Sequence, residues 1–381
     1  MKKQTQTAYF SLGSNQGNRA LMLQKAIFLM ADRMGPISMI SKVYEAPAWG
    51  FESEDFLNCC LSLETELAPL ELLNTLLSIE SSLGRKRKEQ TGYTARNIDI
   101  DLLFYGQEVV HLPQLTVPHP HIEKRAFVLR PLADVCPEFP HPLSGDSIGS
   151  LLSMCPDPAK LSETEVSLQE NPSIEDCGLS FIAIEGNIGA GKTTLSSKIA
   201  KDFNAKLILE GFADNPFLPK FYEDQARYAF PLEMSFLAER YQQYTESTTQ
   251  LDLFKNFMVS DYDIYKSLIF AQITLGTEEY NLYRKLFGFM YKDAKVPDAY
   301  IYLYQNTERL LANIAKRGRD YEQHIDAAYL EKINKGYLDF IKTHHQEAQL
   351  IIDISDKDFV NHQEDYQWIL RKIALFGFLK K

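Results

Sequence analysis

The sequence predicts two domains in tandem, each mixing strands with helices. Three observations point there. The 381 residues suggest about two to three domains by length alone. Strand-like and helix-like stretches alternate from residue 8 to about 150 and then give way to a run rich in Ser, Pro, Asp and Glu. A new strand–loop–helix unit opens after that run. The expected boundaries are 1–160 for the first domain, 161–178 for a linker and 179–381 for the second.

Composition sets the outer bounds. Hydrophobic residues make up 45% and charged residues 24%, enough apolar content for ordinary cores. The net charge of -11 argues against a nucleic-acid coat or a membrane-surface binder, because phosphate backbones and anionic lipids ask for a basic face. Any phosphate site must therefore rest on local basic clusters. Five cysteines, with no CxxC pair, read as thiols of a reducing compartment, and adjacent Cys59 and Cys60 read as core filling on a strand. No run approaches the ~20 apolar residues of a membrane span. The N-terminus lacks the apolar stretch of a secretory signal. The expectation is a cytoplasmic protein with no nucleic-acid or membrane partner.

Taken in order, "AYFSLGSN" reads as a strand closing on a Gly-Ser-Asn turn. "NRALMLQKAIFLMADRM" carries helical apolar spacing through Leu21, Ala26, Ile27 and Met30 and stops at Gly35-Pro36. "SMISKVYEAPAW" reads as one strand running into a Pro-containing loop, and "DFLNCCLSLETEL" as the next strand. "PLELLNTLLSIESSLG" is an amphipathic helix opened by Pro69 and closed by Gly84. "NIDIDLLFYG" is a further strand, and "SIGSLLSM" a short helix belonging to the first domain. "LSFIAIEG" opens the second domain as an apolar strand.

The strand "NIDIDLLFYG" poses the first chemical question. Side chains alternate faces, so Asp99 and Asp101 share one face while Ile98, Ile100 and Leu102 take the other. Two carboxylates at i and i+2 lie roughly 7 Å apart at Cα and repel unless a cation lies between them. A solvated polar edge would also carry such a pair. Here Arg96, the basic turn "GRKRK" and His119 and Arg125 of "VPHPHIEKR" surround it. Carboxylates suited to a hard divalent cation, together with several cations, make a polyphosphate site.

Across nearly the whole first domain the chain resembles 6-hydroxymethyl-7,8-dihydropterin pyrophosphokinase. The resemblance rests on "SLGSNQGN", "VYEAPAWG", "DFLNCCLSLET", "LLSIESSLGR", "ARNIDIDLLFYG", "LTVPHPHIEKRAFVLRPL" and "CPEFPHP", in order and at family spacing. It implies a ferredoxin-like α+β domain. It also implies Mg²⁺-dependent transfer of pyrophosphate from ATP to a hydroxymethyl oxygen, without a protein nucleophile. By the same resemblance, Asp99 and Asp101 would bridge Mg²⁺ on ATP, and Arg85 and Arg96 would close over the phosphates on mobile loops. Glu80, His119 and Arg125 would contact ATP. Asn58 would bond the pterin edge, Phe127 would stack on the pterin ring, and Pro47 and Trp49 would line its pocket. The chain departs from the pattern at "YTAR", where a small pair often precedes the arginine, at Asn97 and Pro120, and at Phe56 in place of a tyrosine.

The second domain opens on a phosphate-binding loop. Gly186, Asn187, Ile188, Gly189, Ala190, Gly191, Lys192 and Thr193 fit GxxxxGK[ST] without a mismatch, between the strand "FIAIE" and the helix-like "TTLSSKIAKDF". With Thr194 these residues are the expected ATP site. Backbone N–H groups would wrap the phosphates, Lys192 would reach the β/γ-phosphates, and the Thr193 hydroxyl would bind Mg²⁺. The loop is silent on the acceptor. "FMVSDY" ends on Asp261, suited to a metal-facing carboxylate. "LILEG" ends on Glu210, a candidate general base. Arg317 and Arg319 stand two apart after "ERLLANIA" and suit a phosphoryl clamp.

Over about residues 180 to 375 the chain resembles the deoxyribonucleoside kinase family, most of all the bacterial deoxyadenosine/deoxyguanosine kinases. The matching stretches are "IEGNIGAGKTTL", "EGFADNPFLPKFYED", "FPLEMSFLAERYQQ", "VSDYDIYKSLIF", "PDAYIYL" and "RGRDYEQ" with "YLEKINKGY". The resemblance implies an α/β P-loop kinase domain, a parallel sheet flanked by helices, and a homodimer. Glu210 would take the proton from the sugar 5′-hydroxyl, Tyr222 and Glu322 would hold the 3′-hydroxyl, and Arg317 and Arg319 would be lid arginines. Glu239 falls at the approximate place of a base-reading glutamine. The main departure is "DYD": Tyr262 stands where relatives carry an arginine near the 5′-oxygen, so either another basic residue supplies that charge or the subgroup works without it. "EDQARY" departs from a common "EDPERY".

The sequence thus predicts a bifunctional Mg-ATP-dependent transferase with small-molecule acceptors, pterin first and purine deoxynucleoside second. Three rivals differ in class: a second domain that binds nucleotide only to regulate the first, a kinase for pyrimidine deoxynucleosides, and a first domain reduced to a dimerisation scaffold.

Overall fold

A computed structural model of the chain describes residues 5–50, 52–85, 96–211, 215–249, 254–319, 322, 325–343 and 348–381. Lys86, Arg87 and Lys88 of the basic turn, most of "YTAR", and Asp320, Tyr321 and Gln323 beside the arginine pair lie outside the described residues. The chain divides into two compact units between Pro172 and Ser173.

Unit 1 is an antiparallel sheet with helices. It comprises β1 (Gln6–Ser14), α1 (Arg19–Arg33), β2 (Ile37–Ile40), β3 (Tyr44–Ala46), β4 (Phe56–Thr65), α2 (Pro69–Ser82), β5 (Asp99–Tyr105), β6 (Val110–Leu112), β7 (Leu115–Val117), a 3-10 turn at Ile122–Lys124, α3 (Ala126–Val135), α4 (Ile148–Met154) and β8 (Ser162–Glu163). The main sheet runs β5-β1-β4-β3-β8, and β2 also pairs with β4. The single strand expected in "SMISKVYEAPAW" is broken in two. Ile40 faces Leu61 and Tyr44 faces Asn58, so four steps on one side meet three on the other, a bulge. Ser41 spans it: its N–H donates to the Cys60 carbonyl and its hydroxyl accepts from the Cys60 N–H, both at 2.9 Å. Cys59 and Cys60 are buried on β4, and burial alone pushes the Cys59 thiol up to about 12. The Ser/Pro/Glu-rich stretch packs on this unit: β8 pairs with β3, and Gln169 exchanges hydrogen bonds with the Gln24 side chain.

Unit 2 comprises β9 (Phe181–Gly186), α5 (Lys192–Asp202), β10 (Lys206–Ile208), α6 (Leu218–Glu223), α7 (Gln225–Thr249), β11 (Met258–Ser260), α8 (Lys266–Thr274), α9 (Thr277–Met290), β12 (Ala299–Tyr304), α10 (Thr307–Arg317), α11 (Ala327–Thr343), β13 (Gln349–Asp353) and α12 (Gln363–Lys380). Its sheet is parallel throughout, in the order β10-β11-β9-β12-β13. Every residue of β9 is buried, as a strand covered by helices on both faces requires. Phe181, Ile182 and Ile184 are fully buried there, worth about 1.5–3 kcal/mol each. In such sheets the ligand crevice lies beyond the carboxyl ends of the strands, where the order reverses. Glu185, Asp261 and Glu210 sit at or just past those ends on three neighbouring strands. No helix among the described residues is long and apolar enough to cross a membrane.

Candidate active sites

In unit 1 the pleat does what the sequence predicts. Asp99 and Asp101 stand opposite Gly13 and Ser11 of β1, and Ile98, Ile100 and Leu102 are buried on the other face. The aspartates border a cavity that Pro47, Trp49, Asn58, Arg96, Arg125 and Phe127 also line. Gly13 also lines it, and a Cβ there would crowd the Asn58 amide oxygen at 3.1 Å. The Arg125 guanidinium lies 5.0 Å from the Trp49 ring and 5.7 Å from the Phe127 ring. Two aromatic faces and an amide edge form a slot for a flat, polar heterocycle.

The charges around the slot are unevenly matched. Asp99 pairs with Arg85 at 2.6 Å through one oxygen and with Arg96 through the other. Among the described residues Asp101 meets a cation only at 4.0 Å, the Arg125 guanidinium. Burial and then the Asp99 charge push its carboxyl up to about 6. With Asp101 the less neutralised of the two, these hard oxygens on one face fit a divalent cation. Among the described residues no cluster of three or more His, Cys, Asp or Glu could hold a metal unaided, so phosphate oxygens would complete the shell. Glu80 and His119, expected at the nucleotide, do not line this cavity. Glu80 is buried; it accepts from the Ile100 N–H at 2.9 Å and pairs with Arg85. It positions β5 and the arginine. His119 is held down to about 4 by burial and by Arg125, so it is a neutral ring at pH 7.

In unit 2 the Gly186–Thr193 loop joins β9 to α5. Gly189 and Gly191 take φ of +82° and +84°, conformations glycine adopts at no steric cost. A Cβ at Gly189 would come within 3.0 Å of the Leu310 carbonyl. Lys192 folds back on its own loop, donating to the Gly186 and Asn187 carbonyls at 2.8 and 3.0 Å. Burial and then nearby Lys266 bring its ammonium down to about 8. The Thr193 hydroxyl donates to Asp261 at 2.5 Å, a hydroxyl–carboxylate pair whose oxygens fit a hard cation. The other Asp261 oxygen accepts from the Glu210 N–H at 2.8 Å. Asn187 turns inward, its amide donating to the Leu330 carbonyl and to Asn334, both at 2.8 Å. It shapes the loop and leaves phosphate contact to the backbone.

Two cavities meet at this loop. One, of about 550 Å³, is bordered by the loop through Thr194 together with Arg309, Asn313 and Phe359. The other holds Glu210, Tyr222, Glu233, Phe236, Arg240 and Lys266. Gly189, Lys192, Thr193, Arg317 and Arg319 border both. Gly318, at φ +71°, caps α10 and lets the flanking arginines converge on buried Glu322, Arg319 at 3.2 Å. The two units therefore share a device: paired arginines parked on a carboxylate where phosphates would take them.

Glu210 is clamped between Arg240, at 2.8 Å, and Lys266. Burial opposes ionisation, but Lys266 and Arg240 outweigh it and draw the carboxyl down to about 2. This bears on "DYD". Tyr262 is fully buried beside Tyr244, ring centroids 6.0 Å apart, and points into the core. The cations at Glu210 come instead from α7 and from the first residue of α8. Glu239, expected near the base, is exposed, does not line this cavity, and is bonded to Ser235 at 2.7 Å and to Asn215 at 3.4 Å. At 3.6 residues per turn, seven residues bring Arg240 nearly in line with Glu233, whereas six carry Glu239 about a third of a turn away. Sequence reasoning missed Glu233, Arg240 and Lys266. The signal was present, as charged residues interrupting the apolar stripes of "PLEMSFLAERY" and "YKSLIF".

A family model described as deoxynucleoside kinase matches residues 182–376. One described as 7,8-dihydro-6-hydroxymethylpterin-pyrophosphokinase matches residues 9–137. The deoxyguanosine kinase of Bacillus subtilis is 39% identical over 50% of this chain and 93% of its own length. The 2-amino-4-hydroxy-6-hydroxymethyldihydropteridine pyrophosphokinase of Aquifex aeolicus is 44% identical over 36% of this chain and 84% of its own. Among solved structures, deoxyadenosine kinase from M. mycoides aligns over 51% of this chain and 98% of that one, at 25% identity and a TM-score of 0.44. The chain belongs to both families, a hydroxymethyl-dihydropterin pyrophosphokinase unit followed by a deoxynucleoside kinase unit.

Proposed function

We propose that the chain is a bifunctional ATP-dependent transferase. Unit 1 moves pyrophosphate from ATP to 6-hydroxymethyl-7,8-dihydropterin, and unit 2 phosphorylates a purine deoxynucleoside at its 5′-oxygen. The observation that carries the second assignment is the pair of cavities meeting at Lys192, Thr193, Arg317 and Arg319. A donor on one side and an acceptor on the other would share those residues at the reacting phosphoryl group, as positioning and charge stabilisation require. The slot between Trp49 and Phe127, open to the aspartate pair, supports the first.

In unit 1 the hydroxymethyl oxygen attacks the β-phosphorus, the bond from that phosphorus to the oxygen bridging it to the α-phosphorus breaks, AMP leaves with that oxygen, and the hydroxyl proton is released to water. Arg85 and Arg96 would exchange Asp99 for the phosphates. In unit 2 the 5′-oxygen attacks the γ-phosphorus and ADP leaves. With its carboxyl near 2, Glu210 is too weak a base to take the proton early. It orients the hydroxyl and accepts the proton as the new P–O bond forms, which suits the loose transition state of phosphoryl transfer. Magnesium, when bound, neutralises phosphate charge; Asp99 and Asp101 would hold it in unit 1, Thr193 and Asp261 in unit 2. The five free cysteines support a reducing cytoplasmic setting. Leu282 and Phe289, half and 82% exposed on α9, support a homodimer through unit 2.

The test is product analysis with Mg-ATP. Hydroxymethyl-dihydropterin should yield AMP. Deoxyguanosine or deoxyadenosine should yield ADP, and thymidine and deoxycytidine much less. Silence with all four deoxynucleosides would favour the regulatory-module rival.

A further inference from the structure

The stretch that follows α4 is anchored beside both walls of the slot in unit 1. Asp157 makes the first anchor. One of its carboxylate oxygens accepts from the Ala126 N–H at 3.0 Å, and the other accepts from the Ala159 N–H at 3.1 Å, an Asx turn. Ala126 is the first residue of α3, and the residue before that helix gives it no side-chain cap. Arg125 and Phe127, on either side of Ala126 in the chain, both line the slot. The second anchor is β8. It pairs with β3, Ser162 opposite Glu45 and Glu163 opposite Tyr44. The Thr164 N–H and hydroxyl both donate to the Val43 carbonyl, at 2.9 and 3.1 Å. Just past β3 come Pro47 and Trp49, which line the slot from the other side.

A flat ring held between two walls depends on their spacing. A gap widened by about 0.5–1 Å forfeits roughly a quarter to a half of the dispersion attraction. Side chains on the two walls do not set that spacing; the backbone that carries them does. At the Phe127 wall the backbone is held by a carboxylate at a helix N-terminus, a charge-assisted contact that the helix dipole favours. We propose that Asp157 is a positioning residue for the pterin. Through Ala126 it fixes where Arg125 and Phe127 stand, while β8 fixes the Trp49 side, so the strap of residues 157–164 sets the width of the slot. The proposal rests on the pyrophosphokinase reading of unit 1. Asp157 does not itself line the slot, and Asp99, Arg85 and Arg96 are held by contacts of their own. Its influence therefore falls on pterin binding and leaves ATP binding and the transfer step alone.

The test follows AMP formation by the full chain and separates KM for hydroxymethyl-dihydropterin, KM for ATP and kcat. In Asp157→Ala the pterin KM should rise on the order of tenfold, the size of one hydrogen bond to a charged acceptor. The ATP KM and kcat should stay within about twofold, the signature of lost ground-state binding. Asp157→Asn keeps an acceptor for the Ala126 N–H and should hold the pterin KM within about threefold of wild type. A purely structural role would lower the active fraction, and so kcat, without moving the pterin KM. Should Asp157→Ala fail to fold, Thr164→Pro decides: it removes the N–H that Val43 accepts and should raise the pterin KM in the same selective way. An unchanged pterin KM in active Asp157→Ala would overturn the proposal, as would an equal rise in both KM values or a loss confined to kcat. Absence of AMP formation by wild type with hydroxymethyl-dihydropterin would instead remove the pyrophosphokinase reading beneath it.

Discussion

Lys266→Met is expected to weaken unit 2 in a way that depends on pH. Glu210 is nearly inaccessible between Lys266 and Arg240, and the two cations take its carboxyl from the usual 4.5 to about 2. That difference corresponds to about 3 kcal/mol in favour of the folded, ionised form. If Lys266 supplies roughly half, its loss costs about 2 kcal/mol, and up to about 4 if the remaining carboxylate is left poorly compensated. The folded-state value is depressed, so this stabilisation is complete above about pH 4.5 and is lost as pH falls toward 2. The gap between wild type and variant should therefore be full at pH 7 and shrink below pH 4.5. The two tryptophans make the assay clean: Trp49 lies in unit 1 and Trp368 on α12 of unit 2. In a Trp49→Phe background, urea unfolding followed by Trp368 fluorescence reads unit 2 alone. Phosphorylation of deoxyguanosine should fall on the order of 100-fold, because Glu210 is no longer held in line. A destabilisation that is the same at pH 7 and pH 3 would refute the reasoning. It would mean Lys266 acts through packing on the Phe270 ring, 5.6 Å from its ammonium.

Asp101→Asn should abolish AMP formation from hydroxymethyl-dihydropterin and leave ADP formation nearly untouched, while Lys192→Ala should do the reverse; either variant silencing both activities in folded protein would break the independence of the units. The same Asp101→Asn should raise the stability of unit 1, read by Trp49 fluorescence in a Trp368→Phe background. Its carboxyl is pushed up to about 6, so its ionisation opposes folding increasingly from about pH 4 and fully above about pH 6; after allowance for its partial exposure the gain is about 1 kcal/mol at pH 7.5 and fades by pH 4. Tyr262→Phe should leave deoxynucleoside turnover within about twofold and stability undiminished, since the Tyr262 hydroxyl is buried without a partner among the described residues; a large loss of turnover would place Tyr262 in the chemistry.

The sequence by itself determined the two-unit plan, the alternation of strands and helices, the phosphate-binding loop and the shared face of Asp99 and Asp101. All of these follow from local rules: strand pleating, helical spacing, and the glycines a tight phosphate loop needs. It also placed Glu210, Asp261, Arg317 and Arg319, because each stands at the end of an element whose boundary local signals mark. What only the tertiary structure decided is which charged groups meet. Glu80 matched a family motif; packing buries it, where it accepts from the Ile100 N–H and pairs with Arg85. Tyr262 looked like a gap in the site, but the turn after β11 sends it into the core and brings Lys266 forward. Glu239 and Glu233 cannot be told apart by spacing from a loop. Only the rotation of α7, fixed by the apolar residues it buries, decides which carboxylate faces the cavity. Pairings between residues 30 to 60 apart, such as Arg240 and Lys266 on Glu210, arise from packing of whole elements, and no local pattern records them.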